Sequence, residues 1–149
     1  MKKIALSCLK YYFLTCDVQG ERAQHMISEF KNFNITPVTP VLGISKFKSA
    51  SIGFSRMIDL GLSQQDVSKP FQPFVIFEDD VSMYRPFPNE IEIPVDTDIL
   101  YIGISKFRTD SEFNIDPSVC CEIFDKNLAR IYNMLSTHGI IICSSLGAR

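Results

Sequence analysis

The chain has 149 residues, of which 46% are hydrophobic, and a formal net charge of −2 at pH 7. A composition this apolar excludes a disordered or fibrous chain, and the length suits one domain that buries about two thirds of its unfolded surface. Because the charge is nearly balanced and no basic stripe runs along any segment, neither nucleic acid nor an anionic membrane is expected as the main partner.

Location is indicated by what the apolar segments and the cysteines do not form. The apolar run at residues 4–9 is too short for a secretory signal, and Lys10 ends it. No segment approaches the roughly 20 apolar residues of a membrane span. The five cysteines are irregularly spaced without a Cys-x-x-Cys pair, which favours free thiols over disulfides or zinc. We therefore expect a soluble protein of the cytoplasm.

Apolar strands and helical patterns alternate in the first third of the chain. Residues 4–9 predict a short buried strand. A helix is predicted from Gly20 to about Phe30, because its apolar residues recur at helical spacing. Residues 35–42 then predict a second strand, which two prolines would place at the edge of a sheet.

The remaining chain predicts a second helix and three more buried strands. The helix covers residues 52–60, with Ser49 or Ser51 as its cap and Gly61 as its end. Residues 128–135 fit either a helix or a strand, and Ser144 predicts a helix cap near the end. The strands are predicted at residues 74–77, 99–104 and 139–143. This alternation indicates one α/β domain, residues 1–149, with a mainly parallel sheet.

Three consecutive carboxylates, Glu78-Asp79-Asp80, follow the most apolar predicted strand. Ligands of parallel sheets collect beyond the carboxyl ends of the strands, where this triplet would lie. Alternate residues of an extended segment point the same way, so Glu78 and Asp80 would share one face and Asp79 the other. Two oxygen ligands on one side suit Mg²⁺ or Mn²⁺. The alternative that remains open is a solvated surface loop.

The order of segments resembles glycosyltransferase family 25, which has the GT-A nucleotide-diphosphosugar transferase fold. The run Phe74-Val75-Ile76-Phe77-Glu78-Asp79-Asp80-Val81 is similar to the family's hydrophobic strand followed by Glu-Asp-Asp-Val. Viral members of the family are the nearest likeness, which would place the protein in a host-cell cytoplasm. Four further blocks match in order: Glu21-Arg22, Ser51-Ile52-Gly53-Phe54-Ser55-Arg56, Asp98-Ile99-Leu100-Tyr101-Ile102-Gly103, and Thr137-His138-Gly139 through Ser144 with Gly147-Ala148-Arg149.

This resemblance implies a Rossmann-like α/β sandwich that transfers a sugar from a UDP-sugar donor to a hydroxyl of a glycan acceptor. In the family, more chain follows the Gly-Ala block and carries residues of the acceptor side. The sequence stops at Arg149, so we expect the donor-binding domain with its acceptor-side part missing. A nucleotide-sugar-binding module without turnover is the alternative.

The resemblance also implies roles for individual residues. Glu78 and Asp80 would bind Mn²⁺ or Mg²⁺ in the manner of an Asp-x-Asp motif. Arg56, which departs from the family's usual His, would contact the donor pyrophosphate; an exposed arginine paired with Asp59 is the alternative. His138 is a candidate base, with a structural hydrogen-bonding role as its alternative. Donor contacts are expected from Ser7, Cys8 and Leu9 to the nucleobase, and from Asp79 to the ribose or the sugar.

Overall fold

The computed structural model describes residues 1–83, 86–103, 121–123, 128–131 and 138–149. Two α-helices lie in this part of the chain, α1 (Glu21–Glu29) and α2 (Lys46–Ser63). The strands are β1 (Lys2–Ala5), β2 (Lys10–Leu14), β3 (Asn34–Val38), β4 (Phe74–Glu78), β5 (Glu90–Ile93), β6 (Ile99–Gly103), β7 (Cys121–Ile123), β8 (Ala129–Ile131) and β9 (Gly139–Ile142).

The central sheet has five strands in the order β3-β2-β4-β9-β6. Strands β3, β2 and β4 are parallel, and β9 runs antiparallel to both β4 and β6. Four of the five strands therefore point in one direction, and the expected mixed α/β class is confirmed. Two small antiparallel pairs, β1 with β5 and β7 with β8, lie outside this sheet.

Each face of the central sheet is covered by one helix. Side chains of a strand alternate between faces, so Tyr11 and Phe13 enter one apolar cluster while Tyr12 enters the other. Met26 of α1 packs in the first cluster, and Met57 of α2 packs in the second. Both positions are completely buried. Burial on two faces explains why β4 and β9 are continuous apolar runs.

Two glycines let α2 lie directly on the sheet. A Cβ on Gly53 would overlap the side chain of Leu14, and one on Gly61 would lie 2.5 Å from the ring of Phe74. These contacts are at opposite ends of neighbouring strands, because Leu14 pairs with Glu78 whereas Phe74 pairs with Lys10. The helix thus starts at the carboxyl edge of the parallel strands and runs toward their amino edge.

Two predicted elements are wrong in extent. The predicted strand at residues 4–9 is divided, because β1 ends at Ala5 and a 3-10 turn (Leu6–Cys8) follows. The turn lets Leu6 and Leu9 both enter the core, and the Tyr11 hydroxyl donates to the Leu6 carbonyl at 2.8 Å. The sheet's first central strand is consequently β2.

The second helix is longer than predicted, because α2 begins at Lys46 and ends at Ser63. Ser49 does not cap it; its hydroxyl donates to the Val41 carbonyl at 2.7 Å from within the first turn. Gly61 does not end it, since this glycine packs on Phe74 inside the helix.

The remaining predictions agree with the structure at lower resolution. The first helix, the apolar strands and the edge position of β3 are confirmed. Ser144 caps a turn rather than a helix, accepting from the N–H groups of Leu146 and Gly147 at 3.2 Å each. Of residues 128–135, the described part contains strand β8, and residues 132–135 lie outside it. In the described ranges, neither helix has the length and apolarity needed to cross a membrane.

Candidate metal centre

The acidic triplet lies at the point where the sheet's connections change direction. Strand β2 leads through α1, on one face, to β3 on its left; β3 leads through α2, on the other face, to β4 on the right of β2. The carboxyl ends of β2 and β4 are adjacent because Leu14 pairs with Glu78. Crevices at such switch points are the usual ligand sites of open α/β sheets.

His138 joins Glu78 and Asp80 on one side of this edge. Its Nδ1 lies 2.9 Å from Oε2 of Glu78 and 3.7 Å from Oδ1 of Asp80. The antiparallel register sets this contact, because Phe77 pairs with Gly139 and the Glu78 N–H donates to the His138 carbonyl at 3.2 Å. A Cβ on Gly139 would lie 2.7 Å from the Phe77 ring, so a glycine is needed for the strands to approach this closely.

Asp79 points to the opposite face, as the alternation of an extended segment predicts. Its Oδ1 lies 3.4 Å from a terminal guanidinium nitrogen of Arg22, in the first turn of α1. The Asp79 side chain is 20% exposed and that of Arg22 is 71% exposed. The middle carboxylate is thereby paired with a cation, while its two neighbours are left to His138.

Glu78, Asp80 and His138 can together offer a metal ion three ligand atoms. One oxygen from each carboxylate and one ring nitrogen all lie within 4.8 Å of one another. Carboxylates suit Mg²⁺ and Mn²⁺, and an imidazole in the set favours a transition metal such as Mn²⁺. The side chains are between 31% and 49% exposed, so solvent and ligands can reach them. Without a cation the same contacts form an exposed ion-pair cluster, which contributes little stability.

The structure does not bring Ser7, Cys8 and Leu9 to this site. They precede β2, and Lys10 at its start pairs with Phe74, four positions before Glu78. At about 3.3 Å per residue, this places them some 13 Å or more from the carboxyl edge. Their expected place beside the acidic triplet is therefore corrected, for the same reason that the first strand was mispredicted.

Residues 15–17 occupy the carboxyl end of β2 instead. Thr15 is 2% exposed, and its N–H donates to the Val38 carbonyl at 3.0 Å. Asp17 accepts from the Gln19 N–H at 2.9 Å and so directs the chain into α1. An aspartate two residues before a glycine and a helical pattern is a turn signal that could have identified this edge from sequence.

Arg56 lies at the same edge but on the outer side of β3. Its guanidinium donates to the Thr39 carbonyl at 3.0 Å, and both residues line a shallow groove with Asp59. Within the described residues Arg56 forms no ion pair with Asp59. Strand β3 is two strands from β4, which corresponds to about 10 Å. Arg56 therefore has a structural partner and lies beside the acidic site rather than in it.

The terminal block that resembles the family holds the other end of the sheet together. The Cys143 N–H donates to the Asp98 carbonyl at 2.8 Å, and the Ser144 hydroxyl donates to the Asp98 carboxylate. Gly147 packs directly against the same carbonyl. These contacts join the start of β6 to the end of β9, at the amino edge of the parallel strands, far from Glu78.

Four residues singled out by sequence are thus brought together: Glu78, Asp79, Asp80 and His138. Sequence analysis missed the contact of Arg22, although the Glu-Arg pair at the start of α1 was part of the resemblance. Comparisons with protein-family models, curated proteins and solved structures found no match.

Proposed function

We propose that this chain is the donor-binding domain of a metal-dependent glycosyltransferase with the GT-A fold, similar to family 25. It would transfer a sugar from a UDP-sugar to a hydroxyl of a glycan acceptor. The observation that carries the proposal is the grouping of Glu78, Asp80 and His138 at the switch point of the sheet. The mainly parallel sheet with a helix on each face supports the Rossmann-like architecture.

Glu78, Asp80 and His138 would hold Mn²⁺ or Mg²⁺. The cation would bind the donor's diphosphate and neutralise its charge as UDP leaves. His138 contacts both carboxylates through Nδ1, so we assign it to this ligand set and withdraw it as the general base. An inverting reaction would then need a base from elsewhere in the protein.

Arg22 and Asp79 would act on the other side of the same edge. Arg22 is largely exposed and stands at the start of α1, where the helix dipole also favours an anion. A guanidinium binds phosphate oxygens through two parallel bonds, so Arg22 could complement the cation at the diphosphate. Asp79, held by Arg22, would accept a hydrogen bond from the ribose or the sugar.

The second candidate is a nucleotide-sugar-binding module without turnover. One observation favours it: the only histidine at this edge, among the described residues, that lies beside the acidic triplet is already engaged by Glu78 and Asp80. Release of UDP from UDP-sugars, with and without glycan acceptors, separates the two. Metal-dependent UDP binding without release would select the module.

Calorimetric titration of UDP tests donor binding, with Mn²⁺ and with a chelator. We expect binding by the wild type in Mn²⁺ and its loss with the chelator or in Asp80→Asn. The matched control is Asp96→Asn, because Asp96 is an exposed carboxylate near the amino edge. Absence of UDP binding by the folded wild type in Mn²⁺ would contradict the proposal, as would equal binding by Asp80→Asn.

A further inference from the structure

The segment that joins β3 to α2 exposes large apolar side chains. Phe47 is 86% exposed, Leu42 is 62% exposed and Ile44 is 43% exposed. Single exposed apolar residues are ordinary in proteins, whereas several on one short segment indicate a binding surface. We name residues 42–48, which also include Lys46 and Lys48, the apolar–basic loop.

Local hydrogen bonds fix this loop outward. The Ser49 hydroxyl donates to the Val41 carbonyl at 2.7 Å, and the Ser49 N–H donates to the Ser45 carbonyl at 2.9 Å. Gly43 has a φ of 83°, a left-handed conformation that glycine adopts without strain. The exposure of Phe47 thus follows from an ordered turn entering α2.

The loop is basic within a chain that is acidic overall. All charged residues between Glu29 and Asp59 are basic, although the whole chain has a net charge of −2. In the part of the chain that the structure describes, neither Lys46 nor Lys48 has an ion-pair partner. Two uncompensated positive charges therefore flank the exposed phenyl ring. The basic residues of this segment are Lys31, Lys46, Lys48 and Arg56.

We propose that the apolar–basic loop binds the protein peripherally to an anionic lipid surface. Phe47, Leu42 and Ile44 would enter the boundary between headgroups and acyl chains. Lys46 and Lys48 would lay their aliphatic stems along it and pair with anionic headgroups. A protein partner is disfavoured because lysines are depleted from protein interfaces. This revises the sequence expectation about anionic membranes, since exposure and pairing of these side chains are visible only in the fold.

Lipid binding through this loop would orient the rest of the domain. The loop follows the carboxyl end of β3, on the edge of the sheet where Glu78 lies two strands away. Docking would hold that edge close to the lipid surface. The inference is independent of sugar transfer, because it depends only on exposure and charge.

Co-sedimentation with vesicles tests the proposal. We expect the wild type to sediment with vesicles of mixed phosphatidylserine and phosphatidylcholine, more than with phosphatidylcholine alone, and to be released by salt. Phe47→Ala should weaken binding roughly tenfold, given the apolar surface of a phenyl ring. The double variant Lys46→Gln/Lys48→Gln should weaken it roughly 25-fold, at about fivefold per lysine.

Val67→Ala is the matched control, because Val67 is 101% exposed in the turn after α2 and has no lysine on either side. It should sediment as the wild type does, and circular dichroism should show that all variants are folded. The proposal would be overturned if the folded wild type did not sediment with anionic vesicles at low salt. Equal binding to both vesicle types, or equal losses in Phe47→Ala and Val67→Ala, would overturn it as well.

Discussion

His138 holds the side-chain position on which the use of the acidic residues depends. Its Nδ1 contacts Glu78 at 2.9 Å, and that nitrogen is also the atom a cation would take. Metal binding would therefore exchange an ion-pair contact for coordination, at ligands that already lie near one another. Because all three side chains are partly exposed, the ion pairs lost in this exchange would cost little.

Cys143 gives a residue-scale test of the core. Burial raises the pKa of its thiol from 9.0 to about 11. A pKa raised in the folded state means that stability is fully present below the unfolded pKa and is lost as pH rises through the folded one. For this thiol alone, the free energy of unfolding should fall by about 1.4 kcal/mol between pH 7.5 and pH 10.

Urea denaturation of the wild type and Cys143→Ala at both pH values measures this loss. The variant should be less stable at neutral pH and should lack that part of the pH dependence. Thiol alkylation of the native protein is the control for burial, because Cys8 and Cys16 are exposed and should react far faster than Cys143. A wild type and variant with the same pH dependence would show that the thiol is not buried as described.

At the scale of elements, close packing of α2 on the sheet makes Gly61→Ala a sharp test. Alanine is favoured over glycine in a helix by about 1 kcal/mol, so the substitution would stabilise an exposed position. Here the added Cβ would lie 2.5 Å from the Phe74 ring. We expect a net loss of about 1–3 kcal/mol, typical of overpacking, in urea denaturation.

Ser55→Ala, at an exposed position of the same helix, isolates helix propensity from packing. It should leave stability unchanged or raise it by up to about 0.5 kcal/mol. If Gly61→Ala were as stable as Ser55→Ala, α2 would not lie against β4 at the distance described.

Sequence patterns predicted strands that are buried on both faces and missed those that mix polar and apolar residues. Residues 74–77 are continuously apolar, so β4 was found almost to its ends. Strand β2 starts with Lys10 and contains two tyrosines, whereas the preceding residues 4–9 look more apolar. The 3-10 turn depends on where Leu6 and Leu9 pack, which no local pattern encodes.

The candidate site was predictable only in its local half. Glu78, Asp79 and Asp80 are consecutive, and their division between two faces follows from strand geometry alone. The contact with His138 depends on the antiparallel register of β9, and that with Arg22 joins residues 57 positions apart. Both contacts are products of the tertiary fold, so the sequence indicated the ligands without indicating their partners.

At the scale of the whole molecule, charge is segregated although the net charge is small. The acidic triplet lies at the switch point between β2 and β4, and the segment from residue 30 to 58 carries only basic charges. Both reach the carboxyl edge of the sheet, where α1 and α2 also begin. This edge therefore offers a cation site, positive helix ends and exposed basic groups, a combination suited to a diphosphate ligand.

The most direct test of the central claim is electron paramagnetic resonance of Mn²⁺ titrated with the purified chain, with and without UDP. The account predicts loss of the free Mn²⁺ signal with the wild type, strengthened by UDP. Asp80→Asn should bind roughly tenfold or more weakly, by analogy with the cost of disturbing metal sites, while Asp96→Asn should match the wild type. A free-ion signal unchanged by the folded wild type, with and without UDP, would contradict a metal centre at Glu78, Asp80 and His138.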